Sequence, residues 1–264
     1  MRGEVGLDLA ADATDTCGMD SSDLLLAFFG IALGGFLKGA TGAGAPVVGV
    51  PILALVVGVP KAVAIFAVLN LLSNSWQVWS YRDGWQGRRL VKRFALGGAL
   101  GAGAGTLVLA SLSTELLMGG LAGVVFLYIG LRLMRPDWKI GRERGVRLSG
   151  GAGFLGGLMQ GAGGISAPIS VTFLNAMRME RREFIGTISA FFFMMSVLQI
   201  PTLVAVGLLD WERAGLAVLA AIPLFGAMPL GEYAAKRVSK ETFDKLILIL
   251  LTLVALRLTY QALT

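Results

Sequence analysis

The chain has 264 residues, of which 55% are hydrophobic and only 15% charged, and it carries a formal charge of +6, one cysteine and no histidine. Long apolar runs in such a composition exclude an ordinary water-soluble domain and predict an all-α integral membrane protein. Cys17 alone excludes an intrachain disulfide, no Cys/His metal cluster can form, and neither cofactor nor metal is expected.

Residues 1–22 set Glu4, Asp8, Asp12, Asp15 and Asp20 against Arg2 and hold no apolar core of signal-peptide length, so they read as an acidic extracytoplasmic tail. Residues 23–134 read as a first repeat. It opens with an apolar region, 23–58, interrupted by Gly42-Ala43-Gly44-Ala45-Pro46, and continues with runs at 62–81, 90–111 and 115–134. Residues 135–148 read as a basic cytoplasmic linker. A second repeat, 149–264, opens with the apolar region 149–177, interrupted from Gly161-Ala162-Gly163-Gly164 to Pro168, and continues with runs at 184–207, 213–231 and 241–263. Each of the six later runs is long enough to cross roughly 30 Å of hydrocarbon at a rise of about 1.5 Å per residue.

Basic residues fix the expected sidedness. Most Lys and Arg fall in four loops, around Arg82 to Arg93, Arg132 to Arg147, Arg178 to Arg182, and Lys236 to Lys245, which the positive-inside rule places in the cytoplasm. Membrane topology thus explains the net charge without a nucleic-acid partner. The loops before 149 and after 177 then share one side, so 149–177 enters and returns as a re-entrant hairpin of two half-helices, 149–160 and 169–177. The same reasoning folds 23–58 into a hairpin, with Lys61 in an outer turn as the exception to the charge rule. "GGFLKGATGAGAPVVGVP" at 34–51 is echoed by "GAGFLGGLMQGAGGISAP" at 151–168, an offset of about 117 to 119. A hairpin plus three transmembrane helices per half is an odd number of crossings, which predicts two inverted-topology repeats with a site near the midplane.

These two glycine-rich segments resemble the duplicated signature of the TauE/SafE family of sulfite and organosulfonate exporters, over a region from about 24 to 263. The first departs from the commoner glycine triplet in carrying Ala45-Pro46, with Lys38 just upstream. The resemblance implies a multi-pass plasma-membrane transporter whose substrate is a small sulfur-containing or organic anion.

The residues themselves point to anion chemistry. Lys38 lies 15 residues beyond Asp23, about 22 Å along a helix, where a charge needs a partner or water and usually marks a substrate path. No acidic residue is expected at the same depth, so the substrate could be its counter-ion. Gly42, Gly44, Gly161, Gly163 and Gly164 would let an oxyanion approach the backbone amides at helix starts. Thr41, Gln160 and Ser166 flank the breaks as possible hydrogen-bond donors, and Pro46 and Pro168 suit a first helical turn. Asn70, Ser73, Asn74 and Gln77 share or border one face of the 62–81 run, matched by Thr187, Ser189, Ser196 and Gln199, of which Asn74 completes the candidate substrate site. Gly97, Gly101 and Gly105, like Gly153, Gly157 and Gly161, have the four-residue spacing of close helix packing.

The reading is therefore an anion exporter working by alternating access, not an enzyme. Without a carboxylate or histidine in the core, efflux driven by the membrane potential is the expected mechanism, since an inside-negative potential favours outward anion movement by about 2.3 kcal/mol per charge per 100 mV. An intramembrane hydrolase using Ser166, with Lys38 as its base, and a non-transporting scaffold are the alternatives. The expected partners are the small anion, the lipid bilayer and, as an option, a second copy of the chain in a homodimer.

Overall fold

The computed structural model describes residues 20–263, apart from residue 86 and the stretches 135–137 and 238–239. The expected acidic tail as far as residue 19, Cys17 included, lies outside the described residues, as does Arg135. Among the described residues the chain is helical apart from turns. Its helices are α1 (Ser21–Thr41), α2 (Ala45–Tyr81), α3 (Arg88–Leu109), α4 (Thr114–Met134), α5 (Arg142–Gly163), α6 (Ala167–Ala176), α7 (Arg181–Ala205), α8 (Trp211–Ala235) and α9 (Lys240–Leu263), with a 3-10 turn at Arg82–Gly84.

Six of the described helices are long and apolar enough to cross a membrane: α1, α2, α4, α7, α8 and the Lys245–Leu263 portion of α9. The protein is a multi-pass membrane protein. Helix α3, expected as a span over 90–111, has the length but is not among the six. Its first turns carry Arg88, Arg89, Lys92 and Arg93, and its middle is glycine and alanine.

The two glycine-rich segments end their helices in the same way. Gly42 (φ 84°) and Gly164 (φ 75°) adopt the left-handed conformation that closes a helix without a Cβ clash. Each amide donates back to the carbonyl four residues earlier, Gly42 to Lys38 and Gly164 to Gln160, both at 2.7 Å. A new helix starts three residues on, with Pro46 or Pro168 in its first turn, where a missing N–H loses no helical bond.

The arms of these hairpins differ from the expected half-helices. The stretch 149–160 is the interior of α5, whose 22 residues begin at Arg142 and take in the end of the expected linker. Hydropathy registers only the portion suited to hydrocarbon, whereas helical hydrogen bonding runs on through the charged turns 142–147. Helix α1 has 21 residues, about 32 Å at helical rise, so it too is a full-length arm. Only the trailing arms are short. Helix α6 has 10 residues, and α2 is divided at Gly58 (φ 77°, ψ 163°), where the backbone leaves helical geometry between Pro51 and Pro60.

Aligning the breaks pairs Gly42 with Gly164 and Pro46 with Pro168, an offset of 122 residues. The letter match at about 117 to 119 differs from this by roughly one helical turn, which leaves the same helix face forward and so hides from string comparison. At the structural register Gly34, Gly35 and Gly39 correspond to Gly156, Gly157 and Gly161, Lys38 to Gln160, and Gln77 to Gln199.

Each leading arm packs on a helix of the other half: α1 runs along α8 and α5 along α3, while α2 pairs with α7 and α4 with α9. Small residues allow the first two contacts. A Cβ on Gly39 would lie 1.9 Å from the Met228 carbonyl oxygen, and one on Gly157 would lie 2.1 Å from that of Gly98. Gly97, Gly101 and Gly105 meet backbone atoms of α5 just as closely, in the packing role their spacing predicts.

Candidate functional site

Lys38 sits one turn from the end of α1, and helical side chains lean toward the N-terminus of their helix. Its chain is thereby directed back from the Gly42 turn into the fold. Lys38 is 1% exposed, and its Nζ donates to Asn74 Oδ1 at 2.7 Å. Asn74 is fixed in turn by donating from Nδ2 to the Asn70 carbonyl at 2.8 Å. The Phe192 ring lies below the ammonium, 5.9 Å from Nζ to its centroid. Burial to this degree leaves no room for snorkelling to a lipid interface.

Neighbouring helices give the depth. Asn74 lies seven residues from the Tyr81 end of α2, about 10 Å, and Phe192 lies eleven residues into α7, about 16 Å. The ammonium therefore sits well inside the helical bundle. Among the described residues Asn74 is its one hydrogen-bond partner, a neutral one, against the three N–H groups an ammonium offers. Burying such a group in a membrane costs about 2.5 to 3.5 kcal/mol on the lower scale. A hydrogen bond to a charged group returns about 1.5 to 3 kcal/mol. The single bond offsets much of this cost, and no acidic side chain among the described residues pairs with Lys38.

The second half has neutral polar residues at the corresponding register positions, with different partners. Gln160, in the register position of Lys38, is 2% exposed, and its Oε1 finds no partner among the described residues. Ser196 stands where Asn74 does and donates to the Phe192 carbonyl at 3.1 Å. Gln77 accepts from the Ser189 hydroxyl across α2 and α7 at 3.1 Å. Its counterpart Gln199 leaves Nε2 without a partner among the described residues, and the position matching Ser189 is Ala67.

The other expected site residues divide. Ser166 occupies the N-cap position of α6, buried and without a side-chain cap bond; the Ser170 hydroxyl lies within donating distance of both its carbonyl oxygen, at 2.9 Å, and its Oγ, at 3.0 Å. Thr41 donates to the Leu37 carbonyl at 2.8 Å and accepts from the Ala43 amide at 3.3 Å, so its hydroxyl hydrogen is already used. Gly161 is not part of the break: it lies inside α5, where a Cβ would meet the Ala102 carbonyl oxygen at 2.2 Å. Gly163 is the last residue of α5 and faces open space. Gly44 caps α2 with an ordinary negative φ of −89°.

The two breaks do not face each other. A Cβ on Gly42 would meet Ile185 at 2.7 Å, while one on Gly164 would meet Val50 at 2.7 Å and Val63 at 3.2 Å. Ile185 lies four residues into α7, about 6 Å, whereas Val63 is eighteen residues from Tyr81, about 27 Å. Val50, however, lies only five residues into α2, about 8 Å from its start, so the two turns are offset along the bundle with the first turns of α2 between them. Lys38 and the Gly42 turn thus form one centre, and Gln160 and the Gly164 turn another. Sequence reasoning did not single out Ile185 or Phe192, because an apolar residue on an apolar helix carries no signal until its neighbour is known.

A bundle with six helices long and apolar enough to cross a membrane, two glycine-broken segments and a buried lysine beside the first of them, defines a polytopic membrane protein. The chain belongs to the sulfite exporter TauE/SafE family, whose model matches residues 26–258. Among curated proteins and among solved structures nothing matches the chain.

Proposed function

We propose that the protein exports a small sulfur oxyanion, sulfite or an organosulfonate such as sulfoacetate, across the plasma membrane. The observation that carries this reading is Lys38: a buried ammonium held by one neutral amide and by no acid among the described residues, which an anion would satisfy. Asn74 orients it, and the start of α2 beyond Gly44 adds the positive end of a helix dipole.

The face carrying the basic loops is the cytoplasmic one, and the tail is extracytoplasmic. The fold is read as two inverted-topology repeats, 23–134 and 149–264, with α1 and the start of α2, and α5 with α6, as their hairpins. The crossed packing of α1 on α8 and α5 on α3 supports this pseudo-symmetry. Substrate passes by alternating access as the two halves rock, with the membrane potential as driving force. The hydrolase alternative finds no support in the geometry: the Lys38 ammonium is bound to Asn74 and the Ser166 hydroxyl to Ser170, so the two do not form a nucleophile-base pair.

Efflux of labelled sulfite and of sulfoacetate from proteoliposomes tests the assignment. Saturable efflux of either, competed by the other, is the expected result. Liposomes no more permeable than protein-free controls to every anion tried would remove the transport reading.

A further inference from the structure

A cavity of about 330 Å³ opens beneath the Lys38 centre at the face of the basic loops. Arg181, Arg182 and Lys236 line its rim with Glu232 as the single acid, while Gly39, Gly42, Gln77 and Ile185 line its inner end. Lys236 is paired to Glu232 at 3.0 Å, and Arg182 reaches Asp83, itself outside the cavity, at 3.8 Å. Arg181 is exposed at the first position of α7 and makes no ion pair among the described residues. The cavity therefore carries a net positive rim.

Its inner end stops short of the lysine. Gln77 is three residues from Asn74 on α2, about 4.5 Å of helical rise. Two contacts lie at this inner end: the hydrogen bond from Ser189 to Gln77, and Ile185 seated against Gly42, close enough that a Cβ there would collide. Both contacts join α7 to the segments that hold Lys38, and neither is covalent or ionic. A small tilt of α7 would open both.

We propose that this cavity is the antechamber from which the anion reaches Lys38, with Arg181 as its collecting charge and the Gln77–Ser189 and Ile185–Gly42 contacts as its inner closure. The inference rests on the anion-export reading and adds the route of entry and a residue that sets apparent affinity. A convergent basic rim above a narrow cavity concentrates small anions, an effect that salt screens over about 10 Å at 0.1 M ionic strength. Arg181 is not at the lysine itself, so its removal acts on capture and leaves passage intact.

The test is the concentration dependence of sulfite efflux from proteoliposomes of one orientation, for wild type, Arg181→Gln and Arg144→Gln, at low and at high ionic strength. Arg144 is equally basic and exposed on the same face but does not line the cavity. The expected result is a KM raised about three-fold or more in Arg181→Gln at low ionic strength, converging on wild type at high salt, with the maximum rate kept and Arg144→Gln unchanged. An Arg181→Gln curve that overlays wild type, or equal shifts in both variants, overturns the antechamber while export itself stands. A wild type that carries no anion removes the export reading and the antechamber with it.

Discussion

Lys38 reaches the interior because it is close to the end of α1 and leans backward from it, and Asn74 meets it there because Asn70 holds the amide in place. Replacing Asn74 by Ala leaves the ammonium without its acceptor in a buried site. The expected cost is about 1.5 to 3 kcal/mol, read as a lower melting temperature in detergent, while Asn74→Asp, which offers an acceptor of opposite charge, should keep the fold but block transport by occupying the lysine. Gly42 is a second sensitive residue. Gly42→Ala faces both a left-handed φ and the Ile185 side chain, for an expected loss of about 1 to 3 kcal/mol. Ile185 is buried, and Ile185→Ala by itself costs about 2 to 5 kcal/mol, so the steric part is read as the coupling in a double-mutant cycle of melting temperatures: Gly42→Ala should cost less in the Ile185→Ala background than in wild type.

Helices α1 and α5 owe their positions to glycine stripes that admit a neighbouring backbone, which separates two kinds of glycine that look alike in sequence. Gly101 lies where a Cβ would be 2.0 Å from the Phe154 carbonyl oxygen, whereas nothing stands within 4 Å of one on Gly120 in α4. Gly101→Ala should therefore force α3 from α5 and destabilise by about 1 to 3 kcal/mol. Gly120→Ala should be neutral or stabilise by up to about 1 kcal/mol. Thermal unfolding of the two variants side by side checks both. The all-helical membrane fold, the duplicated segments and the packing role of Gly97, Gly101 and Gly105 were legible because hydropathy and residue spacing encode them directly. The length of α5 was not, since Arg142 to Arg147 look like a loop to a hydropathy count although they continue a helix. Gly161 read as part of the break for a related reason: in a run of glycines the letters do not show which one turns, and only the amide of Gly164 donating to Gln160 marks the place. Lys38 stood out as a charge in an apolar setting, but its partner depended on how α1 and α2 pack.

At the scale of the whole molecule the two glycine breaks are alike in backbone and their surroundings unlike in charge. Where the first half has Lys38, Asn74 and the Ser189 hydroxyl on Gln77, the corresponding positions hold Gln160, Ser196 and a Gln199 whose Nε2 has no partner among the described residues. The orientation proposed for the fold is open to a simple check, because Cys17 is the chain's sole cysteine. A membrane-impermeant maleimide should label it in intact cells, and labelling only after permeabilisation would reverse the assignment of both faces.

The most direct test of the lysine's role is sulfite efflux from proteoliposomes under an imposed potential, comparing wild type with Lys38→Ala and verifying by melting temperature that the variant is folded. Wild-type efflux should rise as the interior becomes more negative, and should fall at least about ten-fold in the variant, the factor set by about 1.4 kcal/mol of lost stabilisation. Voltage-dependent efflux that is the same in folded Lys38→Ala would contradict the assignment of Lys38 as the anion's partner.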